Sequence, residues 1–171
     1  MNELINRQEM LRYFQVAPAI DEKVLLRFIN EAQLLDVKPL LGDVLYHDLL
    51  LHKNTEKYQS LLYGINYVAG ENPVVYEGLQ RPLAYFAYAR YIVRNAMADT
   101  PFGLVTKNHH DASPKSDTDK RQLAKEIRQD AYLFFKETEQ YLNAHRAEFS
   151  LWKQMCCKAS AKVGKLRFDI L

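Results

Sequence analysis

Apolar residues recur every three to four positions through most of this chain, and the longest such run most limits what it can become. Leu123, Ile127, Ala131, Phe134, Thr138, Tyr141, Leu142 and His145 mark one side of a segment spanning 118–146. That is the period of an α-helix with one buried face. A helix of that length needs partners along its whole side, and the rest of the chain supplies candidates with the same period. Leu25, Phe28, Ile29, Ala32 and Leu35 follow Asp21, a good N-cap, with Ile20 and Leu25 placed as a hydrophobic staple. Leu41, Val44, Leu45 and Leu49 follow Pro39, which suits the first turn of a helix. Gly42 falls inside this run and reads as a point of close packing against a neighbour.

Shorter helices are expected at 7–14, with Asn6 and Glu9 at capping-box spacing, and from Asn54-Thr55 to Leu62, stopped by Gly64. Ala17-Pro18-Ala19 should break the first of them. The segment 74–98 carries Leu79, Leu83, Phe86, Ala87, Ile92, Val93 and Met97, with Tyr85, Tyr88 and Tyr91 widening the stripe. It reads as a central helix in which Pro82 either makes a kink or marks a start near Arg81. Gly70-Glu71-Asn72-Pro73 reads as a turn, and 99–118 as the one long irregular stretch. A short helix around 149–157 and a short extended segment at Val163, Leu166, Phe168 and Ile170 complete the pass.

The expected fold class is therefore all-α. It is a bundle of about five to six helices with a long irregular loop arm at 100–116 and an extended C-terminal tail. One domain covers 1–171, with 1–20 as an N-terminal extension and 158–171 as the tail. At 171 residues, 48% hydrophobic and 26% charged, the chain can bury a core without disulfides or metals. Net charge is +2, too mild to argue for nucleic acid by itself. The basic residues nevertheless crowd the tail: Lys153, Lys158, Lys162, Lys165 and Arg167, against Asp169 alone. Cys156 and Cys157 are adjacent and form no CxxC spacing, which fits a reducing compartment. The N-terminus is polar, and no apolar run is long enough to span a membrane, so the expected site of synthesis is the cytoplasm.

Candidate chemistry is sparse. No P-loop, dinucleotide-binding glycine pattern, GxSxG or HExxH occurs. His109-His110-Asp111 is the most ligand-like cluster, but adjacent residues seldom converge on a metal. Asp43 and His47 are four apart and could meet on a helix surface, with His52 on another face. His145 falls on the apolar side of the long helix. Acid pairs such as Glu22/Glu31 and Glu137/Glu139 show no shared face with another acid pair. Arg81, Arg90 and Arg94 lie on an otherwise apolar helix and so require partners, for which Asp36, Asp43 and Asp48 are candidates. Eleven tyrosines suit core edges or protein interfaces. The expectation is a protein that binds macromolecules, not an enzyme, and one that needs no cofactor.

One stretch is familiar. Phe28-Ile29-Asn30-Glu31-Ala32-Gln33, Leu35-Asp36-Val37-Lys38-Pro39-Leu40-Leu41-Gly42-Asp43 and Leu45-Tyr46-His47-Asp48-Leu49 form a pattern I-x-E-A-Q…D-x-K-P-L-L-G-D-x-L-Y. A second element is Thr100-Pro101-Phe102-Gly103-Leu104-Val105, followed by a serine-containing loop and a long helix. Over about 20–150 the chain resembles phage head–tail connector proteins, also called adaptor or head-completion proteins, encoded beside capsid and portal genes in phages and prophages of Bacteroidetes. Pro82 and the Cys156-Cys157 pair depart from that pattern.

The resemblance implies a structural virion protein at the head–tail junction, assembled in the bacterial cytoplasm. It would form a ring below the portal that extends the DNA channel. Its partners would be the portal protein, neighbouring copies of itself, the next connector or tail component, and DNA passing through the channel, with no membrane. The arm would carry Phe102, Leu104, Val105 and Lys107 as interface residues. The tail would carry Lys158, Lys162, Lys165, Arg167 and Phe168. Two other readings compete. One is a small helical DNA-binding regulator reading through Lys120-Arg121-Gln122-Leu123-Ala124-Lys125-Glu126-Ile127-Arg128-Gln129. The other is an enzyme built around His47, His109 or His110.

Overall fold

The computed structural model describes residues 3–16, 20–94 and 116–152, and the backbone of 97–100 and 103–106. Helices dominate. In chain order they are α1 (Arg7–Leu11), α2 (Glu22–Ala32), a π-helical turn (Gln33–Val37), α3 (Lys38–Leu41), α4 (Asp43–His52), α5 (Glu56–Tyr63), α6 (Gln80–Arg94) and α7 (Asp117–Ala144). The core of the arrangement is α6, which packs along α7 on one side and α2 on another. Two antiparallel hairpins interrupt the helices: β1 (Ile65–Ala69) with β2 (Asn72–Tyr76), and β3 (Met97–Thr100) with β4 (Gly103–Thr106). The all-α expectation is thus corrected to a mostly helical protein with two small sheets.

Local signals explain most helix boundaries. The Asn6 side chain accepts from the Glu9 N–H while the Glu9 carboxylate accepts from the Asn6 N–H, so the capping box forms. Helix α1 ends at Leu11, sooner than the expected 14; the Ala17-Pro18-Ala19 break lies outside the described residues. The segment expected as an N-terminal extension contributes Leu4, Ile5, Met10 and Val16 to the core. Asp21 caps α2 through the Lys23 N–H. Gly64 ends α5 as expected.

Three helical readings need correction. Gly42 is not inside a helix: it has φ +81 and separates α3 from α4, and a Cβ there would meet nothing within 4 Å. Its role is the left-handed backbone, not close packing. Leu35 and Val44 are solvent-exposed. Leu35 leaves the core because the π turn adds a residue and rotates the buried face onto Gln33, Asp36 and Val37. The central helix begins at Gln80, not 74, which puts Pro82 in the first turn, where its missing N–H costs no helical bond. Met97 belongs to β3.

The turn expected at Gly70-Glu71-Asn72-Pro73 joins two strands, and the flanking residues alternate between inward and outward positions as a half-buried hairpin requires. Ala69 pairs with Asn72 across Gly70-Glu71. Gly70 has φ +66, the geometry of the first central residue of a tight hairpin turn. Tyr67 and Tyr76 face the helices, and Val68 and Val75 face solvent. The start of the expected irregular arm is likewise a hairpin, with Met97 opposite Thr106 and Thr100 opposite Gly103. Short strands of this kind pair locally, and β-branched Val105 and Thr106 favour them.

Candidate interaction surfaces

The π turn is where the sequence motif does its structural work. Gln33 accepts from the Leu4 N–H at 2.9 Å and donates to the Tyr46 hydroxyl at 2.8 Å, tying the N-terminal segment to α4. Three residues on, Asp36 is 4% exposed. One of its oxygens accepts from Arg90 Nε at 2.7 Å and the other from Arg128 at 2.7 Å. A single carboxylate thereby bridges α6 and α7 to the turn after α2. A buried charge is tolerable only when paired in this way. The expected need of Arg90 for an acidic partner is met by Asp36. Arg81 pairs with Glu77, and Arg94 with Glu31.

The other two candidate partners serve elsewhere. Asp43 pairs with Lys38 at 3.4 Å. Asp48 takes the Tyr58 hydroxyl on one oxygen and faces His52 Nδ1 at 2.9 Å with the other. The Tyr58 hydroxyl and then His52 hold the Asp48 carboxyl below the usual carboxylate range. Burial first, and Asp48 second, push the Tyr58 phenol far above its ordinary value. His52 stands 55% exposed, so this trio clamps α4 to α5 at the surface. His47 is exposed, and His145 is half-buried with Nδ1 2.9 Å from the Tyr141 carbonyl. Among the described residues no group of three histidines, cysteines or acids converges on a metal-sized site. His109-His110-Asp111 and Cys156-Cys157 lie outside them.

Of the expected interface residues, Leu104 and Val105 are the two among the described residues, and only by their backbone. Leu104 pairs with Asp99 and Val105 with Ala98 across the second hairpin. Phe102, Lys107, Lys158, Lys162, Lys165, Arg167 and Phe168 lie outside the described residues, as does the rest of the tail. Sequence reasoning missed a different set of surface apolar groups. Val68 and Val75 are 67% and 70% exposed on the outward face of the first hairpin. On the outer side of α2, Leu26, Leu34 and Leu35 line an open groove of about 520 Å³ beside Arg27 and Glu31. The hairpin alternation would have revealed the first set; nothing in the sequence signals the π turn that exposes Leu35.

These features define a helical protein fastened by a buried carboxylate between arginines and presenting apolar side chains on a hairpin and a helix flank. The chain belongs to a family of unknown function (DUF6712), whose model matches residues 37–162. No curated protein and no solved structure matches it. Among the described residues no helix is long and apolar enough to cross a membrane.

Proposed function

We propose that this protein is a structural assembly subunit of the head–tail connector type, joining copies of itself into a ring below a portal. The observation that carries the reading is the outward apolar face of the first hairpin, Val68 and Val75, the two most exposed large apolar side chains among the described residues. Exposed large apolar groups gathered on a projecting element are characteristic of surfaces that meet another protein. The motif that carries the resemblance supports the same reading, because its residues are structural. Gln33 and Asp36 wire the helices, Pro39 starts α3 and Gly42 turns the chain. A ring subunit needs such a rigid body with projecting segments, and it needs a heterologous interface that closes.

Native mass spectrometry over a wide concentration range, with negative-stain imaging of the same fractions, tests this. Closed rings are the expected result, formed by the protein alone or on a co-expressed portal. Deletion of 104–115 should leave the helical spectrum intact and abolish ring formation. A compact symmetric dimer that recognises one DNA sequence, in place of any ring, would overturn the proposal in favour of the regulator.

A further inference from the structure

Between the C-terminal half of α6 and the N-terminal half of α7 runs a groove of about 310 Å³. Five cations line it: Arg90 and Arg94 from α6, and Arg121, Lys125 and Arg128 from α7. Among the described residues the charge is not balanced locally. Asp36 is shared by Arg90 and Arg128, and Glu31 is shared by Arg94 and Arg27. Four guanidiniums thus divide two carboxylates. Arg121 and Lys125 are exposed, and among the described residues no carboxylate lies within ion-pair distance of either. Asp117, one helical turn before Arg121, is engaged by Lys120 at 3.4 Å.

We propose that this groove is a binding site for the phosphate backbone of nucleic acid, read without regard to sequence. The ligand class follows from three features. Arginine predominates, and its planar fork matches phosphate oxygens. Arg121, Lys125 and Arg128 sit four and three residues apart on α7, which spreads them over about 10 Å at about 1.5 Å per residue. One DNA strand presents about three phosphates over that length, at about 3.4 Å per charge. The floor is small and apolar, formed by Ala89, Val93 and Ala124. It offers no aromatic face on which a base could stack, so the contact is to backbone. The site is separate from the basic tail and does not depend on ring formation.

The test is fluorescence anisotropy of a short labelled DNA duplex of arbitrary sequence, titrated with the full chain across a salt series. Arg121→Glu with Lys125→Glu is compared with Lys136→Glu, an exposed lysine farther along α7. The tail cations are the same in every protein, so only the groove differs. The double variant should lose roughly tenfold or more in affinity. Its salt slope should fall by about two, one for each lost phosphate contact, with the thermal melting curve unchanged. Lys136→Glu should leave the slope as it was. Equal losses in both variants would overturn the proposal, since binding would then follow diffuse charge. So would displacement of the duplex by polyglutamate or by tripolyphosphate at equal or lower charge concentration. The first would mark an acidic-protein surface, the second a small-phosphate site.

Discussion

The two halves of α7 hold to the same body in different ways. From Ala131 onward the helix is fixed by apolar and aromatic packing. Ala131, Phe135, Thr138, Tyr141 and Leu142 are buried, and Tyr141 stacks on Tyr76 at 4.5 Å and meets Tyr67 and Phe149 edge-on. The Tyr76 hydroxyl donates toward the Leu61 carbonyl at 2.9 Å and lies 3.2 Å from Thr138 Oγ1, so even the polar tip is satisfied. Before Ala131 only Ala124 and Ile127 are buried, in a small cluster with Ala89. There the helix is held by Arg128 on Asp36, and Arg121 and Lys125 have no carboxylate within ion-pair distance among the described residues. A single amphipathic helix thus has a dry end that builds the protein and a charged end left available to something else. Packing is non-directional and fills the first; charge needs placed partners, and at the second the described residues supply fewer carboxylates than cations.

Substitutions can break this contrast. The largest effect should come from Asp36→Ala. Removing the shared carboxylate leaves Arg90 buried without a partner, which should cost about 3–5 kcal/mol in chemical denaturation. Phe135→Ala tests the dry end and should cost about 3–5 kcal/mol through the cavity it leaves. Ile127→Ala, at the looser end, should fall near the low side of about 2–5 kcal/mol. If the Ile127 loss equals or exceeds the Phe135 loss, the two halves are not different in kind.

The tyrosines sharpen the comparison through pH. Burial raises the Tyr76 phenol far above its ordinary value, and burial also raises Tyr141 and Tyr58. The unfolded chain releases these protons near pH 10, while the folded chain keeps them. Their contribution to stability is therefore full below about pH 10 and is lost as pH rises from there toward the folded values. Absorbance at alkaline pH should show the exposed phenols ionising first. The dry-end tyrosines should ionise together with loss of helical signal. A smooth, independent titration of all eleven with the helix intact would show that Tyr76 and Tyr141 are not sealed. The smallest effect should be that of Arg94→Ala, whose side chain is 48% exposed; the lost surface pair is worth about 0–1 kcal/mol.

Much of the body was legible in the sequence because its signals are local. The Asn6–Glu9 capping box, the Asp21 cap, Pro39 at the start of α3, the Gly64 stop and the long period of α7 each depend on neighbours within a turn or two. The need for acidic partners to the α6 arginines was also readable, since a half-buried guanidinium demands one. Which acid answers was not, because Asp36 lies 54 residues from Arg90 and 92 from Arg128. The choice of Phe134 for the buried stripe was off by one: Phe135 is the buried ring, and Phe134 lies under the Arg81 guanidinium at 3.7 Å. Both positions suit the helical period, and only the arrangement of α6 decides between them. The interface residues expected at the arm and tail were read from a resemblance, and Leu104 and Val105 enter the described structure only as rungs of a hairpin.

What the sequence determined by itself is most of the helices and several of their ends, because propensity, capping and period act over a few residues. The tertiary structure decided three things: the meeting of Asp36 with Arg90 and Arg128, the docking of the first hairpin's tyrosines on α7, and, among the described residues, the shortage of carboxylates in the α6–α7 groove. Each depends on groups far apart in the chain meeting at one place, and no local pattern encodes such a meeting.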